Sequence, residues 1–126
     1  MYSKFNYQKA MPTPWGKADY VHHICKGVVE VGTPGHGGIL VGKAVARKLL
    51  SPKGQAIGRE WNQYLAYEED CDWSLFAYEQ PELYNESRKI SCSTTYASNP
   101  EKFTVEETKR YAAETLKRWH QDYFTG

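Results

Sequence analysis

Tyr20-Val21-His22-His23-Ile24-Cys25-Lys26-Gly27-Val28-Val29-Glu30-Val31-Gly32-Thr33-Pro34-Gly35-His36-Gly37-Gly38-Ile39-Leu40-Val41 is the stretch on which the fold turns. Its apolar residues are mostly β-branched or aromatic, the types that fit a pleated, half-buried surface. Tyr20, Val21 and Ile24 form one run, Val28, Val29 and Val31 a second, and Ile39, Leu40 and Val41 a third. Lys26-Gly27 between the first two reads as a hairpin turn. Gly32 to Gly38 separates the second from the third. The stretch therefore predicts a three-stranded antiparallel meander whose second connection is a glycine-rich loop.

Upstream, Thr13-Pro14-Trp15-Gly16 is a turn signal, with Pro presetting φ and Gly admitting a positive one. Residues 1–12 read as an arm in which Tyr2, Phe5 and Tyr7 alternate weakly; it either adds an edge strand or stays loose. Downstream, Lys43 to Leu50 is a short helix with Val45, Leu49 and Leu50 on one side, stopped by Ser51-Pro52-Lys53-Gly54. A second helix is expected from Gly58 or Arg59 through Tyr78, breaking near Glu68 at most. Trp61, Tyr64, Leu65, Cys71, Leu75 and Tyr78 fall at roughly three- and four-residue steps along it. Pro81 bounds it, Glu82 to Tyr84 adds a turn, and Ile90 to Tyr96 is a strand or a loop. In the last helix Thr104 and Glu107 have capping-box spacing. Val105, Ala112, Leu116, Trp119 and Tyr123 then make its apolar stripe, with Trp119 as a core anchor. Glu106 with Arg110 and Glu114 with Arg118 are its expected i,i+4 pairs.

The fold class is accordingly α+β: a single domain over residues 13–126, with an N-terminal antiparallel sheet of about three strands or more. Two or three helices pack it, the C-terminal one long. At 126 residues, 40% hydrophobic and 25% charged, the chain has the composition of one globular domain. It shows no internal repeat. No apolar run approaches the roughly 20 residues that span a bilayer, and no apolar stretch follows Lys4 and Lys9 as in a secretory signal. Cys25, Cys71 and Cys92 are odd in number and contain no CxxC pair, so reduced thiols and a cytoplasmic setting are expected, with Cys71 a small core residue. The net charge of +1 hides a segregation: residues 1–53 carry +6, residues 54–103 carry −5, and the remainder is neutral. Those halves either attract across the fold or leave a basic and an acidic face.

Two features carry candidate chemistry. In Thr33-Pro34-Gly35-His36-Gly37-Gly38 the glycines allow close backbone approach to a ligand, and successive N–H groups can form an anion nest. His36, unshielded by its neighbours, is suited to acid–base or metal-ligand work. The loop lacks the GK[ST] of a P-loop and the GxGxxG spacing of a dinucleotide site. The bland alternative is a wide hairpin loop with an exposed histidine. In Tyr67-Glu68-Glu69-Asp70-Cys71-Asp72-Trp73, helical geometry places Glu68 and Asp72 on one face and Glu69 with Trp73 on another. Such carboxylates, with His36, can ligate Mg²⁺, Mn²⁺ or Zn²⁺, or act as general acid and base. Alternatively they form an acidic helix start paired with the basic first segment. His22 and His23 point to opposite faces of a strand and cannot chelate one ion together. His120 sits near a helix end, where an imidazolium complements the dipole. Lys43, Arg47 and Lys48 make a basic cluster too narrow for a duplex-DNA reader.

Thr13-Pro14-Trp15-Gly16, Thr33-Pro34-Gly35-His36-Gly37-Gly38, Tyr67 to Trp73 and Pro81-Glu82-Leu83, in that order over residues 13–84, resemble a domain of unknown function carried on phages, plasmids and related mobile elements. Members of that family often have Ser or Ala where Gly35 stands. The resemblance implies a mobile-element context, in which small intracellular proteins often counter host defence, and brings no activity with it. The function expected is therefore non-enzymatic: an accessory protein that binds a host defence protein or sequesters a nucleotide-like signal, without a cofactor. Trp15, Thr33, Gly35, His36, Gly37 and Gly38 are the expected ligand-binding residues, and Glu68, Glu69 and Asp72 the expected partner-binding ones. Pairing into a homo-oligomer is compatible with this size. The competing expectation is a small metal-dependent hydrolase built on His36 and the acidic helix Glu68–Asp72, which requires them to lie within ligand distance.

Overall fold

The computed structural model describes residues 7–125. Its centre is a five-stranded antiparallel sheet in which residues 20–25, 28–32, 37–42, 64–68 and 59–61 lie side by side in that order. The meander is β3 (Tyr20–Cys25), β4 (Val28–Gly32) and β5 (Gly37–Gly42). Gly27, at φ +85°, makes the first turn; Thr33 to His36 make the second connection. Ahead of them β1 (Pro12–Thr13) and β2 (Gly16–Lys17) form a small ribbon around the Pro14-Trp15 turn. Residues 1–6 of the expected arm lie outside the described residues. Tyr7 is buried, with its ring edge-on to Tyr64 at 5.6 Å and its hydroxyl donating to the Pro12 carbonyl.

Of the expected helix over 58–78, only the part from Trp73 onward is helical. After α1 (Lys43–Leu49), Ser51 caps α2 (Pro52–Ile57), accepting from the Gly54 N–H at 2.9 Å, with Pro52 at the tolerated first position. The chain then forms the hairpin β6 (Arg59–Trp61) and β7 (Tyr64–Glu68), turning at Asn62 with φ +54°. Tyr64, Leu65, Ala66 and Tyr67 are all buried, because β7 is an inner strand covered on both faces. Such a run has no period, so neighbouring aromatics mimic helical spacing. Glu68 closes the strand, and the supposed acidic helix is a turn that leads into α3 (Trp73–Glu79). Cys71 lies in that turn, half-buried.

Ile90 to Tyr96 is neither strand nor loop. It spans the end of α4 (Pro81–Ser91), which extends the expected turn at Glu82, and most of α5 (Ser93–Ser98). The last helix, α6 (Val105–Trp119), starts as expected: Thr104 Oγ1 accepts from the Glu107 N–H at 3.1 Å. The Glu107 carboxylate turns instead to Arg110, which also binds Glu114, so neither expected i,i+4 pair forms. The buried stripe is Thr108, Ala112 and Leu116, and Trp119 is 57% exposed rather than a core anchor.

The sheet separates two apolar layers. Val28, Ile39, Val41, Leu65 and Tyr67 face the helices, packing against Ala46, Leu75, Phe76 and Leu116. Val29, Val31, Leu40, Tyr64 and Ala66 face the N-terminal segment, where Tyr7, Trp15 and Ala18 cover them. No helix of the described residues is long and apolar enough to cross a membrane. The candidate chemistry lies at one end of the sheet, where the loop before β5 meets the turn after β7.

Candidate functional site

Thr33 fixes the loop that carries His36. Its N–H and its hydroxyl both donate to the His36 carbonyl, at 2.7 and 2.8 Å, and its Oγ1 accepts from the His36 N–H at 3.1 Å. The imidazole is thereby held at the sheet end, with Nδ1 3.9 Å from Glu68 Oε2. Gly38 pairs with Glu68 across β5 and β7, so the two positions share a sheet face. Asp70 reaches back from the turn. One ligand atom from each of His36, Glu68 and Asp70 lies within 4.8 Å of the others.

The glycines supply space. A Cβ on Gly38 would lie 2.3 Å from the Tyr67 carbonyl oxygen and 2.5 Å from Trp15 Cη2, so Trp15 covers bare backbone. On the opposite face, a Cβ on Gly37 would stand 2.7 Å from the Val31 carbonyl oxygen and 3.4 Å from Glu69 Oε1. Both glycines belong to the β5 ladder, which leaves Gly35 alone of the loop glycines exposed and unconstrained. Trp15 is oriented by Thr13, whose Oγ1 accepts from the Trp15 N–H at 3.0 Å and donates to the Gly16 carbonyl at 2.7 Å. Gly16 takes φ +123°, open to glycine.

A cavity of about 350 Å³ lies on the Trp15 face, lined by Pro14, Trp15, His36, Arg59, Glu68 and Asp72, with Ala66 as its floor. Arg59 arrives there because β6 pairs it with Ala66. Asp72 is held from behind: His120, the residue that ends α6, places Nε2 2.6 Å from Asp72 Oδ1, both largely buried. Cys71 beside it is chemically quiet. Burial first, then the charges of Asp72 and Glu68, push its thiol up to about 12, leaving almost no thiolate at neutral pH.

Of the residues expected from sequence, Trp15, His36, Glu68 and Asp72 thus meet around one cavity. Thr33 and Glu69 line a different one on the helix face. Glu68, Glu69 and Asp72 consequently do not form a single patch. Sequence reasoning missed Arg59 as a site residue and the His120–Asp72 link. Reading residues 59–68 as a hairpin around Asn62 would have placed Arg59 opposite Ala66; nothing local in sequence pairs residues 72 and 120.

The donor set of one imidazole and two carboxylates fits a borderline-hard divalent ion such as Mn²⁺ or Zn²⁺, and the open side of the cluster leaves positions for water or substrate. Comparison with curated proteins and with solved structures yields no match. The profile of a domain of unknown function (DUF7007) matches residues 8–126, nearly the whole length, and the chain belongs to that family.

Proposed function

We propose that the Trp15 cavity is a divalent-metal site acting on a phosphate-bearing, nucleotide-like ligand, and that the chain is a small metal-assisted hydrolase. The observation that carries this reading is the convergence of His36, Glu68 and Asp70 ligand atoms within 4.8 Å beside the cavity lined by Trp15 and Arg59. A cation held there would supply Lewis-acid polarisation of a phosphoryl oxygen. Arg59 would neutralise anionic oxygens, and Trp15 offers an aromatic wall for a base. Asp72, oriented by His120, would accept a proton from an attacking water.

The test is calorimetric titration of the protein with Mn²⁺ and with Zn²⁺, followed by an assay of phosphate-ester cleavage in the presence of the bound ion. His36→Ala, Glu68→Gln and Asp70→Asn should each weaken ion binding at least about tenfold, the scale of one lost ligand interaction. Absence of saturable binding in the wild type rejects the site.

A second reading keeps the same cavity without turnover. Arg59 and Trp15 alone suit sequestration of a nucleotide-like signal, the counter-defence role that the mobile-element resemblance implies. Nucleotide binding without product release would select it. A host defence protein held through Glu68, Glu69 and Asp72 would have to embrace both faces of the 68–72 turn. Charge reversal at all three positions that leaves such a complex intact would remove that version.

A further inference from the structure

On the helix face of the same sheet end lies a second cavity, of about 310 Å³, whose chemistry is of a different kind. Its walls include the aromatic rings of Tyr20, Trp73 and Tyr84 and the carboxylates of Asp19, Glu30 and Glu69. Trp73 and Tyr84 are stacked, centroids 5.4 Å apart at 26°. The carboxylates are not matched by cations. Among the described residues no ion pair joins Asp19, Glu30 or Glu69 to a lysine, arginine or histidine. Arg88, the basic group that bears on Tyr84, sets its guanidinium 4.3 Å over the Phe103 ring. Glu30 stands in the middle of β4 with its side chain toward the helices, on the Ile39 and Tyr67 side of the ladder.

Burial, and then the charge of Glu69, raise the Glu30 carboxyl above its ordinary value. Tyr20 and Tyr84 are also raised, by burial first and by the Glu30 charge second. A negative charge is thus held among aromatic rings without an ion-pair partner among the described residues. Aromatic faces and carboxylates share one preference, for a positive group stripped of part of its water. Neither an anion nor an apolar ligand would meet both wall types favourably.

We infer that this cavity is a recognition site for an organic cation, a primary ammonium or guanidinium group, held by Glu30 and Glu69 against Tyr20, Trp73 and Tyr84. It does not depend on the metal reading of the opposite face, since it shares no side chain with the His36, Glu68 and Asp70 cluster.

The experiment is an NMR titration of the full chain with n-butylammonium, with n-butylguanidinium and with n-butanol as the neutral control, following the Trp73 indole N–H. Saturable shifts with one or both cations, and none with butanol, are expected; the stronger of the two identifies the head group. Glu30→Gln and Glu69→Gln should each weaken binding about tenfold or more while melting at the same or a higher temperature than the wild type. That combination separates a ligand-binding carboxylate from a structural one, whose loss lowers the melting temperature. Equal shifts with butanol, no saturable shift with either cation, or unchanged affinity in both glutamine variants would overturn the assignment.

Discussion

Gly38 and Gly35 sit three positions apart in one loop motif and have opposite meanings. Gly38 has no room for a Cβ, because the Tyr67 carbonyl and the Trp15 ring occupy it, whereas a Cβ on Gly35 would meet nothing within 4 Å and its φ lies outside the left-handed region. Gly38→Ala is expected to destabilise the fold by about 3 kcal/mol and to displace Trp15. Gly35→Ala should stay within about 0.5 kcal/mol of the wild type. Urea unfolding followed by tryptophan fluorescence measures both, and equal midpoints for the two variants would refute the account. At this scale the sequence was legible in kind: the glycine run, His36 and Trp15 all lie at one end of the sheet. The assignment of roles within the run was not. Whether a glycine provides a nest, a turn or clearance depends on what crosses above it, and Trp15 arrives from more than twenty residues away.

At the scale of elements, one contact ties the turn after β7 to the end of α6. Asp72 and His120 are 48 residues apart in sequence and 2.6 Å apart in space. Asp72→Ala and His120→Ala should each cost about 1–2 kcal/mol, since a partly buried charge-assisted hydrogen bond is lost. The double variant should cost clearly less than the sum, because the second change removes a partner already orphaned. Additive losses in a denaturant-based cycle would show that the two groups do not interact. The helices that could be read from the sequence were those with ends marked by local chemistry, as at Thr104 and Glu107. The stretch from Arg59 to Glu68 could not be read in the same way. An inner strand buried on both faces carries no alternation, and its deciding residue, Asn62 at positive φ, is a weak turn signal when alone. Trp119 failed for a related reason: the periodicity of α6 locates an apolar stripe but not the point where the packing layer ends.

For the molecule as a whole, part of the uneven charge along the chain is resolved by pairing. Lys43 Nζ meets Glu60 Oε1 at 3.1 Å and joins the basic first segment to the acidic second. Glu30 and Glu69 remain together at the sheet end. A carboxyl raised in the folded state binds its proton more tightly folded than unfolded. Stability therefore falls as pH rises from the ordinary glutamate range through the raised Glu30 value, and the loss is complete above it. The Glu30→Gln variant lacks this loss. Its stability advantage over the wild type should grow with pH across that window and then level off, as thermal melts between pH 4 and 8 can record. An advantage independent of pH would indicate that Glu30 does not titrate as described.

The strand Gly37–Gly38 separates the two cavities, and it is a partition a single peptide layer deep, with Trp15 resting on one side and Glu69 on the other. A partition of that depth has no interior that can absorb change. A side chain added at Gly38 presses on Trp15 and one added at Gly37 on the Val31 carbonyl and Glu69, so the strand must shift, and a shift of it enlarges one chamber at the expense of its neighbour. The shapes of the two chambers are therefore inherited together: selection that refines either is at the same time selection on both.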